Sequence, residues 1–451
     1  MKRFYFLFIL LNLIISIFYI DLWNNANTTS RILPIISYFE SGTFQIDKYH
    51  ELTCDKSIIK NHYYSEKAPL PTIIVFPFFG LLKLIGLIKS HNGSLYGRHV
   101  YAIGSFLCSM IPFVLILFLT FKKIYKNSSY SPVLLTMLPF YGSFIFIFSG
   151  TFFNHLSSSI FLLFSYILLK EKKYWIAGVF AGLAFLCEFI IALVIFIWVF
   201  QILWNERNIK SVCKFILGVF PFVVFIMIYN YIFTNSPFTM IYKFHNLSPE
   251  LHVNYAFVHP TAESLWGLIF SDYRGLFFYA PFLLIILFYF IKRVRMFPIK
   301  KIVLEFCSNY LFLISFTIII ATSSYLGWWG GWSYGPRLLI FITVLLFYEG
   351  IIFLSKQNFS KIFFWIVITF GITIAFMAKS AVLYCLPTEI KHPLFQIIIP
   401  DFISCKFNSN NLLTLFLGVN PVVSFLVWLV LFISSLLFLT IYFKKNHIKT
   451  S

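Results

Sequence analysis

Apolar runs of about 18 residues or more recur from one end of this chain to the other, and nothing else constrains its fold as strongly. In a bilayer each backbone polar group must find a partner within its own segment, so such runs fold as helices. They fall near residues 4–20, 69–90, 99–121, 131–149, 153–169, 174–204, 211–233, 276–292, 305–327, 336–354, 361–382 and 420–443. The stretch 174–204 is long enough for a short hairpin. The first run has the look of a signal peptide, but no small-residue cleavage site precedes Asp21-Leu22-Trp23, so it reads as a retained span. Hydrophobic residues make up 60% of the 451 and charged residues 11%, which excludes a soluble domain of this size. The expectation is an all-α polytopic membrane protein, one domain over 1–451, with about 11–13 transmembrane helices.

A net charge of +19 would suit a nucleic-acid partner, but the placement of the charge argues against one. Lys2/Arg3, Lys122/Lys123/Lys126, Lys170/Lys172/Lys173, Arg207/Lys210, Lys292/Arg293/Arg295/Lys300/Lys301, Lys356/Lys361 and Lys444/Lys445 all stand at ends of apolar runs. Cytoplasmic loops carry this excess of lysine and arginine. The pattern puts both termini in the cytoplasm and the polar stretches 21–68, 234–275, 328–337 and 383–419 outside. One conflict of parity remains: two runs separate the outer loop 21–68 from the basic cluster at 122–126. Either 69–90 fails to cross fully or that cluster faces outward. The seven cysteines show no metal-ligand spacing. Cys385 and Cys405 share an outer loop, where a disulfide, free thiols or a pairing with Cys54 are the alternatives.

The outer loop 21–68 holds Asp21, Arg31, Glu40, Asp47, His50, Glu51, Asp55, His62, Glu66 and Lys67, although the whole chain has only 16 acidic residues. Within it SRILPIISYFESG has apolar residues at helical spacing closed by Gly42, the pattern of an amphipathic helix on the membrane surface. The loop ends in HYYSEKAPL, which sets Lys67 between a tyrosine pair and the proline where the chain re-enters the bilayer. A cation at that depth needs an anionic partner, and lipid phosphate is the commonest one. A plain snorkelling anchor is the alternative.

Near that lysine a carboxylate could act as general base towards an acceptor hydroxyl. Asp47 and Asp55 are the best placed and Glu40 third. Asp47 is preferred because an apolar stretch precedes it. Each is otherwise a solvated loop acid. Arg274 in DYRGL and Arg337 in YGPR stand at outer mouths, where a guanidinium fork suits phosphate, or where an arginine anchors a span beside a local acid such as Asp272. Trp328, Trp329 and Trp332, with Tyr334 close by, either form an interfacial belt or, turned inward by Gly330 and Gly331, stack on a sugar. His155 and Glu188 are ionisable groups inside apolar runs, functional or paired between helices. His62 and His259 lie in outer loops. No spacing supports a metal site.

The order of these elements resembles the GT-C superfamily of polytopic glycosyltransferases, the bacterial branch similar to protein O-mannosyltransferases and lipid A aminoarabinose transferases. In those relatives one span precedes a long outer loop running from an Asp-Glu-x-x-Arg element through Ser-Gly to Tyr-x-Glu-Lys-Pro-Pro. Here NTTSRILPIISYFESGTFQID and HYYSEKAPL supply Arg31, Ser41, Gly42, Tyr64, Glu66 and Lys67. Asn27, Thr28 and Thr29 replace the Asp-Glu pair, so Asp47 or Asp55 would have to supply the acid. The resemblance implies a GT-C-like bundle in the bacterial cytoplasmic membrane, using no cofactor. It implies inverting transfer of a sugar from a polyprenyl-phosphate donor to a hydroxyl of a glycolipid, glycan or protein on the outer face. Lys67, Arg337, Arg274 and Tyr64 would hold the donor phosphate, with His62 and the tryptophans lining the sugar pocket. A polymer ligase or polymerase and a lipid-linked sugar flippase or transporter are the competing readings. A transporter would gather its charges at mid-membrane on broken helices, often with internal repeats.

Overall fold

A computed structural model describes residues 2–22, 25–88, 94–245 and 254–447; part of the second outer loop, 246–253, lies outside them. Apolar runs become helices throughout, and the regular sheet among the described residues is one two-stranded hairpin. Among the described residues five helices are long and apolar enough to cross a membrane: Arg98–Ile124, Ile209–Thr234, Arg337–Ser355, Lys361–Ala381 and Pro421–Asn446. The number is seven if each of two bent pairs, Pro132–Tyr141 with Phe144–Gly150 and Ile299–Ser308 with Phe312–Ser323, is counted as one span. That is fewer than the 11–13 expected, because several runs are divided into shorter helices. The run 174–204 breaks at Glu188, giving Tyr174–Cys187 and Ile191–Glu206.

Small residues bring these helices together. A Cβ on Gly178 would lie 2.1 Å from the Phe215 carbonyl oxygen, and one on Gly218 2.1 Å from that of Trp175. The backbones of Tyr174–Cys187 and Ile209–Thr234 therefore touch, as small residues permit between membrane helices. Elsewhere aromatic rings fill the interior. Trp428, fully buried, stacks on Phe146 at 5.7 Å and meets Phe376 edge-on at 4.7 Å.

Long-range bonds sort the polar segments into two ends. At one end Lys170 pairs with Glu349, Lys172 with Glu206, Ser129 bonds Ser355, and Asn205 bonds Ser308. These partners belong to the basic run ends. At the other end Ser57 bonds Ile241, Arg274 bonds Trp329, Tyr384 bonds Asp21, and Leu326 bonds Ala256. All four of the polar stretches read as outer loops meet there.

The first loop forms the floor of that second end. Its helix, Ala26–Ser41, starts at Asn25, whose side chain accepts from Thr28 N, and stops at Gly42, whose φ of +71° suits a residue without Cβ. It does not lie on a surface as expected: residues 28 to 37 are all buried. The helix Leu70–Leu84 covers it: the hairpin brings the chain back to its start, and this helix then runs alongside in the same direction. Thr72 Oγ1 donates to the Arg31 carbonyl at the near end, and Lys83 Nζ to the Phe39 carbonyl at the far end. With 15 residues, this helix is about 22 Å long and falls short of a hydrocarbon core of about 30 Å. Of the two alternatives this favours the first: Leu70–Leu84 packs along the first-loop helix, whereas Arg98–Ile124, with 27 residues, is long enough to cross. All seven cysteines are unpaired, Cys385 and Cys405 included.

Candidate active site

The hairpin that ends the first loop pairs Lys56–Ile59 with His62–Ser65, and its turn residues Lys60 and Asn61 have φ of 51° and 65°. Two positive φ values match the twist that tight hairpins require. Ser65 and Ser30 hydroxyls, 2.9 Å apart, tie the hairpin to the first-loop helix. On its other edge Ser57 Oγ donates to the Ile241 carbonyl, and Ser57 bridges to His245. This docking carries the second outer loop to the hairpin and sets His245 beside Glu66.

A buried charge cluster results. Lys67 Nζ lies 2.7 Å from Asp55 Oδ2 and 2.6 Å from Glu66 Oε1. His245 Nε2 is 3.2 Å from Glu66 Oε2, close enough to pair but not aligned for a hydrogen bond, so that oxygen has no hydrogen-bond partner. The Glu66 side chain is 2% exposed and that of Asp55 23%, so Asp55 is the more accessible of the two carboxylates. Arg337 and Arg31 are charge neighbours of this group. Each leaves its buried Nε without a partner, while Arg31 Nη2 is fixed by Asn154 Oδ1 at 2.7 Å. Tyr242 and Tyr325, joined hydroxyl to hydroxyl at 2.7 Å, close one side. Three buried polar atoms of these charged groups thus find no hydrogen-bond partner among the described residues, which leaves them able to bond a polar ligand.

The cluster divides its protons unequally. Burial disfavours a charged Asp55, but Lys67, Arg337 and His245 outweigh it and hold the carboxyl below its usual range. Burial, with the nearby Asp55 charge, pushes Glu66 up to about 7 although Lys67 opposes the shift. For Lys67 burial is again the largest influence, yet Asp55 and Glu66 prevail and its pKa rises. The lysine therefore stays charged while Glu66 sits near the titration range of neutral solutions.

Other residues singled out in the sequence are elsewhere. Asp47, the preferred base, clamps the hairpin instead: its Oδ2 is 2.6 Å from His62 Nδ1 and its Oδ1 accepts from Tyr63 N. Glu40 pairs with Lys48 at 3.0 Å and with the Tyr49 hydroxyl at the surface. Tyr64 accepts from Gln45 Nε2 and packs on Phe233. Arg274 is fully buried with its donors spread over the carbonyls of Trp329, Tyr273, Gly331 and Leu386, while Asp272 pairs with His392. These bonds tie it to the glycine turn. That turn does form, with φ of +74° at Gly330 and +69° at Gly331, but it makes room for Arg337: a Cβ on Gly330 would lie 3.1 Å from Arg337 Cγ. Trp328 instead packs edge-on against Tyr273, Trp332 is exposed, and Tyr334 is core, 4.6 Å from the Tyr279 ring. His155 and Glu188 are paired at 2.7 Å below Phe153, whose ring carries Arg337.

Sequence reasoning missed His245 and left Glu66 out of the site. Asp55, Glu66 and His245 each offer one ligand atom, all within 4.8 Å of one another, so a divalent cation could be held there. Lys67 Nζ now lies against both carboxylates and an ion would have to displace it. No spacing could reveal this trio, since its members come from two loops. Asp21 was also passed over: it is 2% exposed and accepts from the Tyr384 hydroxyl at 2.7 Å. No protein-family model, no curated protein and no solved structure matches this chain.

Proposed function

We propose that this chain is an inverting glycosyltransferase of GT-C type that uses a polyprenyl-phosphate sugar donor at the outer face of a bacterial cytoplasmic membrane. The observation that carries the reading is the buried group of Asp55, Glu66 and Lys67 with Arg337 and Arg31 as charge neighbours, at the end of the bundle where the polar loops gather. Its excess positive charge suits a phosphate. Lys67 supplies a point charge, and Arg337 a planar fork, to the phosphate that leaves as the glycosidic bond breaks. Asp55, the more open carboxylate, takes the proton of the attacking hydroxyl, and Glu66 holds Lys67 in place. A transporter has less support, because Asp55, Glu66 and Lys67 sit on a polar loop at one end of the bundle and not on broken helices within it.

The test is discharge of a panel of polyprenyl-phosphate sugars by the purified chain in liposomes, read as release of polyprenyl phosphate. At least one donor should be discharged by the wild type and none by Lys67→Gln. Retained discharge in Lys67→Gln, or none with any donor by a folded wild type that also fails to bind polyprenyl phosphate, would overturn the proposal.

A further inference from the structure

The opposite end of the bundle carries a built feature that sugar transfer does not use. Between Lys292 and Glu305 the chain has five basic residues and a single acid. The Ile299–Ser308 helix meets the apolar Phe312–Ser323 helix at 74°, so it turns aside from that helix's line instead of continuing it. None of its residues is buried. Met296 is 83% exposed, Ile299 80% and Val303 56%, an apolar face that none of the described residues covers. A helix with such a face and lysines beside it belongs at the lipid boundary.

Next to it is a cavity of about 170 Å³ whose walls include Phe290, Phe312 and Phe353 and whose polar groups include Arg293, Glu305 and Glu349. That is less than the roughly 300–1,000 Å³ of ordinary metabolite pockets, so it suits part of a lipid better than a soluble ligand. Arg293 lies over the Phe353 ring at 5.7 Å and Lys301 over Phe297 at 4.1 Å. None of the five basic residues makes an ion pair with a described residue, whereas Glu349 is already neutralised by Lys170 at 2.6 Å. The topological excess of lysine and arginine accounts for positive charge at this end. It does not account for five such residues around one open amphipathic helix and an apolar slot.

We infer that this segment is a binding site for an anionic phospholipid of the adjoining leaflet. Arg293, Arg295, Lys300 and Lys301 receive the headgroup phosphate, and the slot between Phe290, Phe312 and Phe353 takes the start of an acyl chain. Anionic headgroups attract polybasic segments of this kind within a Debye length of the surface.

The test follows thermal unfolding of the full chain in an uncharged detergent. The additions are phosphatidylglycerol, phosphatidylcholine or glycerol 3-phosphate. Phosphatidylglycerol should raise the midpoint, while the neutral lipid and the free headgroup should leave it unchanged. The triple variant Arg295→Gln/Lys300→Gln/Lys301→Gln should lose most of the shift. A control triple at the same end, Lys361→Gln/Lys444→Gln/Lys445→Gln, should keep it. Equal shifts from both lipids, a shift from glycerol 3-phosphate alone, or equal losses in the two triples would overturn the site. Lipid retention in native mass spectrometry gives a second readout that needs no unfolding. None of these outcomes depends on sugar transfer.

Discussion

One loop carries two acidic groups that sequence places almost side by side, and folding gives them opposite surroundings. Asp47 pairs with His62 at a rim where their side chains are 39% and 46% exposed. Asp55 and Glu66 pair with Lys67, whose side chain is 14% exposed, beneath the hairpin. Both groups are short ion pairs, yet solvent screens the first and not the second. Exposed pairs contribute about 0–1 kcal/mol, whereas removing one partner of a buried pair costs about 3–5 kcal/mol. Ion-pair length alone therefore says little about role; burial and the number of charges that converge say more.

The largest expected effect is at Lys67. Lys67→Gln removes the cation from two buried carboxylates, so donor binding and stability should both fall. Loss of the charge-assisted bond to phosphate weakens donor binding roughly ten- to a hundredfold. Lys67 thus bears on stability as well as on ligand, so donor titrations must be compared at equal amounts of folded protein. Lys67→Arg, which keeps the charge, should recover stability more fully than transfer.

Asp55→Asn should come next. It keeps the shape and most of the donor binding while turnover drops by about a hundredfold or more, as for loss of a general base. Full turnover in Asp55→Asn would move the base elsewhere, with the buried Asp21 as the next acid to change.

A pH titration sharpens the contrast. The pKa of Glu66 is raised in the fold to about 7, so the neutral acid is favoured there. The stability it contributes is present below the ordinary carboxylate range and is lost as pH rises through about 7. Above that point the added negative charge also opposes a phosphate, so polyprenyl-phosphate affinity should fall. Lys67, Asp55, His245 and Arg31 all face this carboxyl and stay in place in Glu66→Gln. That variant should lose the downward step near pH 7, as read by donor affinity against pH. The smallest effect is expected for Asp47→Asn: a modest fall in unfolding midpoint, with donor affinity within about twofold of wild type.

Helical class and the end at which polar loops gather were legible in apolar run lengths and in the placement of lysine and arginine. The turn at Gly330-Gly331 and the stop at Gly42 were legible because each demands a positive φ. The choice between Asp47 and Asp55 was not, since it depends on hairpin register: Lys56 pairs with Ser65, so Asp55 falls level with Glu66 just beyond the strand ends. His245 could not be found either, because a bridge to Ser57 brings it in from a separate loop. Arg274 and Tyr334 look the same in sequence as ligand-facing residues, and only their buried carbonyl and ring partners identify them as scaffold.

Photocrosslinking tests the central claim most directly, using a polyprenyl phosphate with a diazirine near the phosphate on the full chain in liposomes. Adducts should fall on peptides containing Asp55 to Lys67 and Tyr325 to Arg337, disappear with excess unlabelled lipid phosphate, and be sharply reduced in Lys67→Gln but not in Asp47→Asn. Adducts confined to lipid-facing helices such as Ile209–Thr234, or unchanged in Lys67→Gln, would contradict it.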